Sequence, residues 1–164
     1  MKRTSISDIH NYRAVEAGLL TAGQPTEAQL AALAGEGVQV VINLALHDDP
    51  RYSLPDEAGL ARSLGMEYIH IPVRFDAPAE ADLQKFFDAV NKHQHQKVLV
   101  HCAANKRVTA FLGLYFSIVQ GRSDDDAFGL MKSVWQPDAV WSSFIAAMLG
   151  RHRGRDKGTA SRET

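Results

Sequence analysis

The chain contains one cysteine, Cys102, within residues 101–107 (HCAANKR), a segment that we call the cysteine loop. A thiol becomes a useful nucleophile when a nearby cation and the N–H groups at the start of a helix stabilise its thiolate. Arg107 carries a planar guanidinium suited to two oxyanion oxygens, and Lys106 adds positive charge. This combination predicts a site for thiol chemistry, for anion binding, or for both.

The other residues of the cysteine loop also fit the binding of an anion. Ala103 and Ala104 leave the loop unobstructed, so successive backbone N–H groups can surround an anion where a strand passes into a helix. Asn105 tolerates the positive φ that such a tight turn requires. Polar neighbours are His101 and Thr109, and Thr109 can give the thiolate a hydrogen bond. A free cysteine also packs like a small hydrophobic residue, but so many polar groups at a strand-to-helix crossing favour a functional site.

The cysteine loop needs a rigid support, and the hydrophobic pattern predicts one. Short runs rich in Val and Ile alternate with longer helical patterns, which is typical of a parallel sheet covered on both faces. We therefore predict an α/β fold with a central, largely parallel sheet of four to five strands flanked by helices on both faces. The predicted strands are 19–22, 38–44, 68–73 and 97–101, and the predicted helices are 27–34, 55–64, 82–93, 108–119, 123–135 and one after 138.

Composition indicates one globular domain. The 164 residues, of which 45% are hydrophobic, can bury one sizeable core, and we assign residues 1–149 to a single domain. Residues 150–164 are rich in Gly, Arg, Ser and Thr without a helical period, so we predict a flexible basic tail there.

Charge and cysteine content narrow the partners and the location. A net charge of −1 gives no global field that selects nucleic acid or an anionic membrane as a partner. A lone cysteine excludes an internal disulfide and a multi-thiolate metal site, and it fits a reducing compartment. The first residues contain no continuous apolar run of signal-peptide length. We therefore expect a cytoplasmic protein that uses neither metal nor cofactor.

Four motifs, in this order, resemble the protein-tyrosine and dual-specificity phosphatase superfamily, in particular a small bacterial branch that is tyrosine-phosphatase-like. The resemblance covers roughly residues 18–144 of the chain. The motifs are TAGQP at 21–25, VINL at 41–44, IHIPV at 69–73 followed by DAP at 76–78, and VHCAANKRVTAF at 100–111.

The resemblance implies a hydrolase of phosphate monoesters, of the phosphotyrosine or dual-specificity type. Cys102 would attack phosphorus and form a phosphocysteine intermediate, while Arg107 would hold the equatorial oxygens. Thr109 would assist the leaving thiolate, and His101 belongs to the same catalytic set. Asp76 would protonate the departing alcohol. The residues implied to surround the substrate phosphate are Ala103, Ala104, Asn105, Lys106 and Arg107.

The spacing within the cysteine loop departs from the superfamily pattern. Phosphatases of this superfamily have five residues between the cysteine and the arginine, whereas four separate Cys102 from Arg107. An alignment without a gap places Val108 at the position of the arginine, and valine cannot replace two charge-assisted hydrogen bonds to a dianion. We therefore expect weakened phosphatase turnover.

Two alternative functions remain open for the same loop. The four-residue spacing is similar to that of rhodanese-type sulfurtransferases, in which case Cys102 would carry a sulfane sulfur as a persulfide. The other alternative is a non-catalytic domain that binds phosphorylated ligands. The expected partner is a phosphorylated substrate or another small oxyanion.

Overall fold

A five-stranded sheet forms the centre of the fold. The computed structural model describes residues 4–163, without the side chains of Tyr52 and of residues 154–163. The strands are β1 (Arg13–Glu16), β2 (Leu19–Ala22), β3 (Val40–Asn43), β4 (Glu67–His70) and β5 (Val98–His101). Their order in the sheet is β1-β2-β5-β3-β4, and all neighbouring pairs are parallel except β1 with β2.

Helices cover both faces of this sheet, which confirms the predicted α/β fold. The helices are α1 (Glu27–Gly35), α2 (Glu57–Ser63), α3 (Glu80–Lys92), α4 (Lys106–Leu114), α5 (Asp124–Val134) and α6 (Ala139–Glu163). A π-helical turn, Tyr115–Val119, continues α4. Short 3-10 turns occupy Ile6–Asp8 and Pro50–Tyr52.

Local sequence signals explain where several helices begin. The side chain of Thr26 accepts a hydrogen bond from the Gln29 N–H, and the Gln29 side chain accepts one from the Thr26 N–H, which forms a capping box before α1. Ser123 accepts a hydrogen bond from the Asp126 N–H at the start of α5. These bonds satisfy N–H groups that have no partner within the helix.

Strand residues alternate between two hydrophobic cores on opposite faces of the sheet. Val98 and Val100 of β5 pack in the core that contains residues of α3 to α6, whereas Leu99 packs in the core that contains residues of α1 and α2. Side chains of a strand alternate with a period of two. The end of β5 therefore directs His101 towards α2 and Cys102 towards α4.

The edge strand β1 is not predicted, because the charged residues Arg13 and Glu16 interrupt its apolar pattern. Residues 150–163, which the sequence predicts as part of a flexible tail, belong to α6, and their flexibility stays a prediction. Ion pairs of Arg151 with Glu80 and of Arg153 with Asp124 hold this part of α6 near α3 and α5. Within residues 4–163, no helix has the length and apolar character needed to cross a bilayer.

Candidate active site

Cys102 follows β5 directly and is only 1% exposed. Its backbone N–H donates to the Ala22 carbonyl at 3.3 Å, which extends the contact between β2 and β5 by one residue. The side chain belongs to the core on the α3–α6 side of the sheet. The thiol forms no disulfide. The strand pairing thus fixes the position of the sulfur, which lies at the inner end of a cavity described below.

The cysteine loop leaves several backbone N–H groups without partners. The Ala103 carbonyl accepts from the Gln24 N–H at 3.0 Å, and the Ala104 carbonyl accepts from Nδ2 of Asn11 at 3.0 Å. Asn105 has a φ of 64°, in the left-handed region, and α4 begins at the next residue. In the described part of the chain, no acceptor binds the N–H groups of residues 103, 104, 106, 107 and 108. Free N–H groups at a left-handed turn and a helix start can bind an anion.

Arg107 is a buried cation beside this loop. The residue is 9% exposed, and Nη1 donates to the Val73 carbonyl at 2.8 Å. Its guanidinium carbon lies 5.9 Å from the centre of the Phe75 ring. The Nε atom is buried without a hydrogen-bond partner, and no carboxylate whose side chain the structure describes forms an ion pair with Arg107. The guanidinium is therefore anchored by one neutral carbonyl, and its charge has no carboxylate partner among those described side chains.

A cavity of about 260 Å³ lies over Cys102. Its lining contains three nitrogen-bearing side chains and no carboxylate of the described residues. Lys106 also lies 5.7 Å above the Trp135 ring, which holds its ammonium group near the cavity. Positive charges without nearby carboxylates make this cavity attractive to anions. It is lined by His10, Phe75, Cys102, Ala103, Ala104, Lys106 and Arg107.

The Thr109 hydroxyl is engaged by the backbone of the cysteine loop. Its Oγ1 donates to the Asn105 carbonyl at 2.9 Å and lies 3.1 Å from the Lys106 carbonyl. The same oxygen accepts a hydrogen bond from Nε1 of Trp135 at 3.2 Å. In this arrangement the hydroxyl proton is used in a hydrogen bond to the turn before α4. That Thr109 assists the thiolate stays a prediction.

Asp76 lies away from the cavity over Cys102. Its carboxylate accepts two hydrogen bonds from Arg74, at 3.0 and 2.9 Å, and 73% of its side chain is exposed. The hydrogen bond from Arg74 and the charge of this residue hold the pKa of Asp76 below its usual value. The preceding residue, Phe75, lines the cavity instead. The role of Asp76 as proton donor therefore stays a prediction.

His101 belongs to a buried polar group on the opposite face of the sheet. Its Nε2 donates to Oε2 of Glu57 at 2.6 Å, and both side chains are fully buried. Oε1 of Glu57 accepts from Nε2 of Gln24 at 2.6 Å. Burial raises the pKa of Glu57, but the charge of His101 and the hydrogen bonds from His101 and Gln24 outweigh burial and lower it. His101 thus lies on the face of the sheet opposite the Cys102 side chain, and its Nδ1 lies 3.3 Å from the Cys102 carbonyl.

Sequence reasoning missed three residues that meet the cysteine loop or its neighbours. Glu57 lies 44 residues before His101, in a segment predicted only as a helix. Gln24 appears in the TAGQP motif without an assigned role. His10, near the start of the chain, lines the cavity over Cys102. No spacing signal links such distant positions, because only the folded sheet brings them together.

A larger cavity, of about 630 Å³, lies on the α2 side of the sheet. Its lining includes His47, Glu57, Tyr68 and His70 but no thiol. Nε2 of His47 lies 3.1 Å from the Tyr68 hydroxyl, and the Glu57 carboxylate is bound by His101 and Gln24. These groups already have hydrogen-bond partners within the protein, so the smaller cavity over Cys102 is the better candidate for chemistry.

A protein-family model matches most of the chain. The model is described as a DSP-PTPase phosphatase fused to NAD+ kinase, and it matches residues 2–138. Comparison with curated protein sequences gives no match.

Solved structures share this fold. A candidate phosphatase (DUF442) from Shewanella putrefaciens CN-32 is 31% identical, with a TM-score of 0.78, and the alignment covers 90% of this chain and 96% of that chain. PTPMT1 in complex with PI(5)P is 19% identical, with a TM-score of 0.74, covering 88% of this chain and 98% of that chain. The active form of Tk-PTP is 21% identical, with a TM-score of 0.70, covering 88% and 97%. At these identities, PTPMT1 and Tk-PTP support the fold alone.

Proposed function

Because the chain belongs to the family described as the DSP-PTPase phosphatase fused to NAD+ kinase, we propose that it hydrolyses phosphate monoesters with Cys102 as the nucleophile. The observation that supports this activity most directly is the environment of Arg107. This residue is a nearly buried cation that lines the cavity over Cys102 and has no carboxylate partner among the described residues. A buried charge is costly unless an opposite charge neutralises it. A phosphoryl group in the cavity supplies that opposite charge.

The position of Arg107 offsets the loss of the superfamily arginine. Val108 is fully buried in the core on the α3–α6 side and cannot bind substrate. Arg107 reaches the cavity from the preceding position, where the Val73 carbonyl fixes Nη1. The remaining guanidinium N–H groups, together with the unpaired backbone N–H groups of the cysteine loop, are available to phosphate oxygens. Interactions of this kind stabilise the charge that develops in the transition state.

The proposed reaction has two steps. The thiolate of Cys102 attacks phosphorus, a sulfur–phosphorus bond forms, and the bond from phosphorus to the alcohol oxygen breaks as that oxygen gains a proton. Water then attacks the phosphocysteine, the sulfur–phosphorus bond breaks, and inorganic phosphate and the thiolate are released. Neither step requires a redox partner.

The direct test is a phosphatase assay with the purified full chain and with Cys102→Ser. We expect turnover of 4-nitrophenyl phosphate between about pH 5 and 8, and a loss of roughly 10³-fold or more in Cys102→Ser. A panel of a phosphotyrosine peptide and a phosphoinositide then addresses the substrate type. Because Cys102 is the only cysteine, alkylation by iodoacetamide should abolish the same activity. Absence of any Cys102-dependent turnover would show the proposal to be wrong.

The same protein samples separate the two alternative functions. A rise of Tm with inorganic phosphate, without turnover of any ester, would favour a binding domain. A mass increase of one sulfur atom after incubation with thiosulfate, absent in Cys102→Ser, would favour a sulfane-sulfur carrier. We expect the rise of Tm together with turnover, and no stable sulfur adduct.

A further inference from the structure

The cavity over Cys102 has a wall that is contributed by the start of the chain. His10 lines this cavity together with Cys102, Lys106 and Arg107. The residue lies outside the motifs that carry the family resemblance, and it precedes β1 in the chain. Its imidazole is exposed at the cavity, whereas the neighbouring Ile9 is 2% exposed and packs in the core on the α1–α2 side.

Backbone and side-chain hydrogen bonds hold His10 against the cysteine loop. The His10 carbonyl accepts from the Gly23 N–H at 2.7 Å. Nδ2 of Asn11 donates to the Ala104 carbonyl at 3.0 Å, and Nδ2 of Asn105 donates to the Asn11 carbonyl at 2.9 Å. Nδ2 of Asn11 also lies 3.4 Å from Nε2 of His10. The two asparagines therefore clamp the segment that carries His10 onto the loop that carries Cys102.

Glycine at position 23 allows this close approach. A Cβ atom at Gly23 would lie 2.6 Å from the Ala103 carbonyl oxygen and 2.9 Å from the His10 carbonyl oxygen. Both contacts are with backbone atoms, which cannot move aside without disturbing the loop. The chain is thus built so that the His10 segment and the cysteine loop touch on either side of Gly23.

Apart from His10, none of the described side chains that line the cavity is a suitable proton donor. The titratable and charged groups that line it are His10, Cys102, Lys106 and Arg107. Lysine and arginine hold their protons too tightly for general acid catalysis near neutral pH, whereas imidazole exchanges its proton in that range. Asp76, the acid implied by the family resemblance, is bound by Arg74 outside this cavity.

We propose that His10 is the general acid that protonates the leaving oxygen of the substrate, a role that rests on the proposed phosphatase function. As the Cys102 sulfur bonds to phosphorus and the phosphorus–oxygen bond to the alcohol breaks, the His10 imidazolium transfers its proton to the departing oxygen. In the second step neutral imidazole takes a proton from the attacking water while the sulfur–phosphorus bond breaks. His10 then carries its proton again. Lys106 and Arg107 are the charged side chains that line the cavity beside His10.

The test compares substrates with different leaving groups in His10→Gln. Phenyl phosphate releases a phenol with a pKa near 10, like tyrosine, and needs a proton donor, whereas 4-nitrophenyl phosphate releases a much weaker base. We expect kcat for phenyl phosphate to fall about 10²-fold, with a far smaller fall for 4-nitrophenyl phosphate. The basic limb of the pH profile of kcat for phenyl phosphate should flatten as well.

Three further variants make the result decisive. His95→Gln is the matched control, because His95 is exposed and lies near the opposite end of β5. This variant should leave the ratio of kcat for 4-nitrophenyl phosphate to kcat for phenyl phosphate unchanged. His10→Ala should reproduce the effect of His10→Gln, which distinguishes the loss of a proton donor from an effect of the amide. Asp76→Asn tests the competing acid.

The outcomes are distinct for the two proposals. Equal losses on both substrates in His10→Gln, or a leaving-group effect in Asp76→Asn but not in His10→Gln, overturn the role of His10 while leaving the phosphatase function intact. A wild-type protein without Cys102-dependent turnover overturns the phosphatase function, and the role of His10 with it. A rise in the ratio of kcat for 4-nitrophenyl phosphate to kcat for phenyl phosphate that occurs only in the His10 variants supports both proposals.

Discussion

The end of β5 separates two regions that differ in how their charges are paired. On the α2 side, His101 and Glu57 bind each other, and Gln24 donates to the same carboxylate. On the α4 side, Arg107 has no carboxylate partner among the described residues, and backbone N–H groups of the cysteine loop lack acceptors. In the first region, the described charged groups are paired within the protein. In the proposed function, a bound anion would pair the charge of the second region.

Burial has opposite consequences for the stability of the two regions. A buried ion pair is stable as a pair and is strongly destabilising when one partner is removed. A buried charge without a partner has the opposite property, because the folded protein gains when that charge is removed or neutralised. The α2 side therefore supports the position of the cysteine loop, while in the proposed function the α4 side holds the residues that would meet substrate.

After Cys102→Ser, the largest expected effect is that of Arg107→Met, which removes the cation that has no carboxylate partner among the described side chains. We expect kcat/KM for 4-nitrophenyl phosphate to fall by about 10²–10³-fold, because the charge that stabilises the transition state is lost. In buffer without phosphate, Tm should remain unchanged or rise, since a buried charge without a partner has been removed. Enzyme kinetics and thermal unfolding with and without phosphate measure both effects.

Arg74→Met is the matched control for this variant. Arg74 is another arginine of the same region, but its side chain is 65% exposed and binds Asp76 at the surface. This variant should keep the rise of Tm with phosphate, whereas Arg107→Met should lose it. If Arg107→Met lowers the stability strongly and still responds to phosphate, the assignment of an unpaired charge to the anion site is wrong.

The second prediction concerns the paired region. Glu57→Gln should lower the free energy of unfolding by about 3 kcal/mol near pH 7, because buried His101 loses its charged partner. The lowered pKa of Glu57 stabilises the folded state above the ordinary glutamate value, and this stabilisation is lost as the pH falls through the lowered pKa. The difference between wild type and Glu57→Gln should therefore shrink below about pH 4.5. Urea unfolding at several pH values measures it.

Glu67→Gln provides the comparison for the paired region. Glu67 also contacts a buried histidine, His93, but its own side chain is 51% exposed. Solvent screens such a contact, so the expected loss of stability is much smaller than for Glu57→Gln. Equal effects of the two variants, at all pH values, would contradict the importance of the fully buried pair.

The two regions also differ in how well the sequence predicts them. The strand before Cys102 and the helix after it are encoded locally, by the Val-rich run of β5 and by the apolar residues of α4, and both are predicted. The pairing of Glu57 with His101 and the approach of His10 to Cys102 depend on which strands are neighbours in the sheet. Hydrophobic periodicity carries no information on that choice. The direction of the Arg107 side chain depends on the Val73 carbonyl, which lies 34 residues away in sequence.

The smallest expected effect is that of substituting Asn105, which joins the His10 segment to the cysteine loop. Its Nδ2 donates to the Asn11 carbonyl and to Oγ1 of Thr21, and its φ is 64°. Asn105→Gly removes the side-chain amide but still favours the left-handed backbone. Asn105→Ala removes the amide and also disfavours that backbone. We therefore expect Asn105→Ala to lower the free energy of unfolding by about 1 kcal/mol more than Asn105→Gly.

Asn105→Gly separates the effect of the Asn105 side-chain hydrogen bonds from the effect of the left-handed turn. With the left-handed turn preserved, the N–H groups of the cysteine loop should still bind phosphate, and the rise of Tm with phosphate should persist in Asn105→Gly. The segment that carries His10 loses one of its two asparagine contacts, so turnover of phenyl phosphate should fall several-fold more than that of 4-nitrophenyl phosphate. An unchanged ratio of turnover of these two substrates would mean that the hydrogen bonds of Asn105 stabilise the fold without positioning His10.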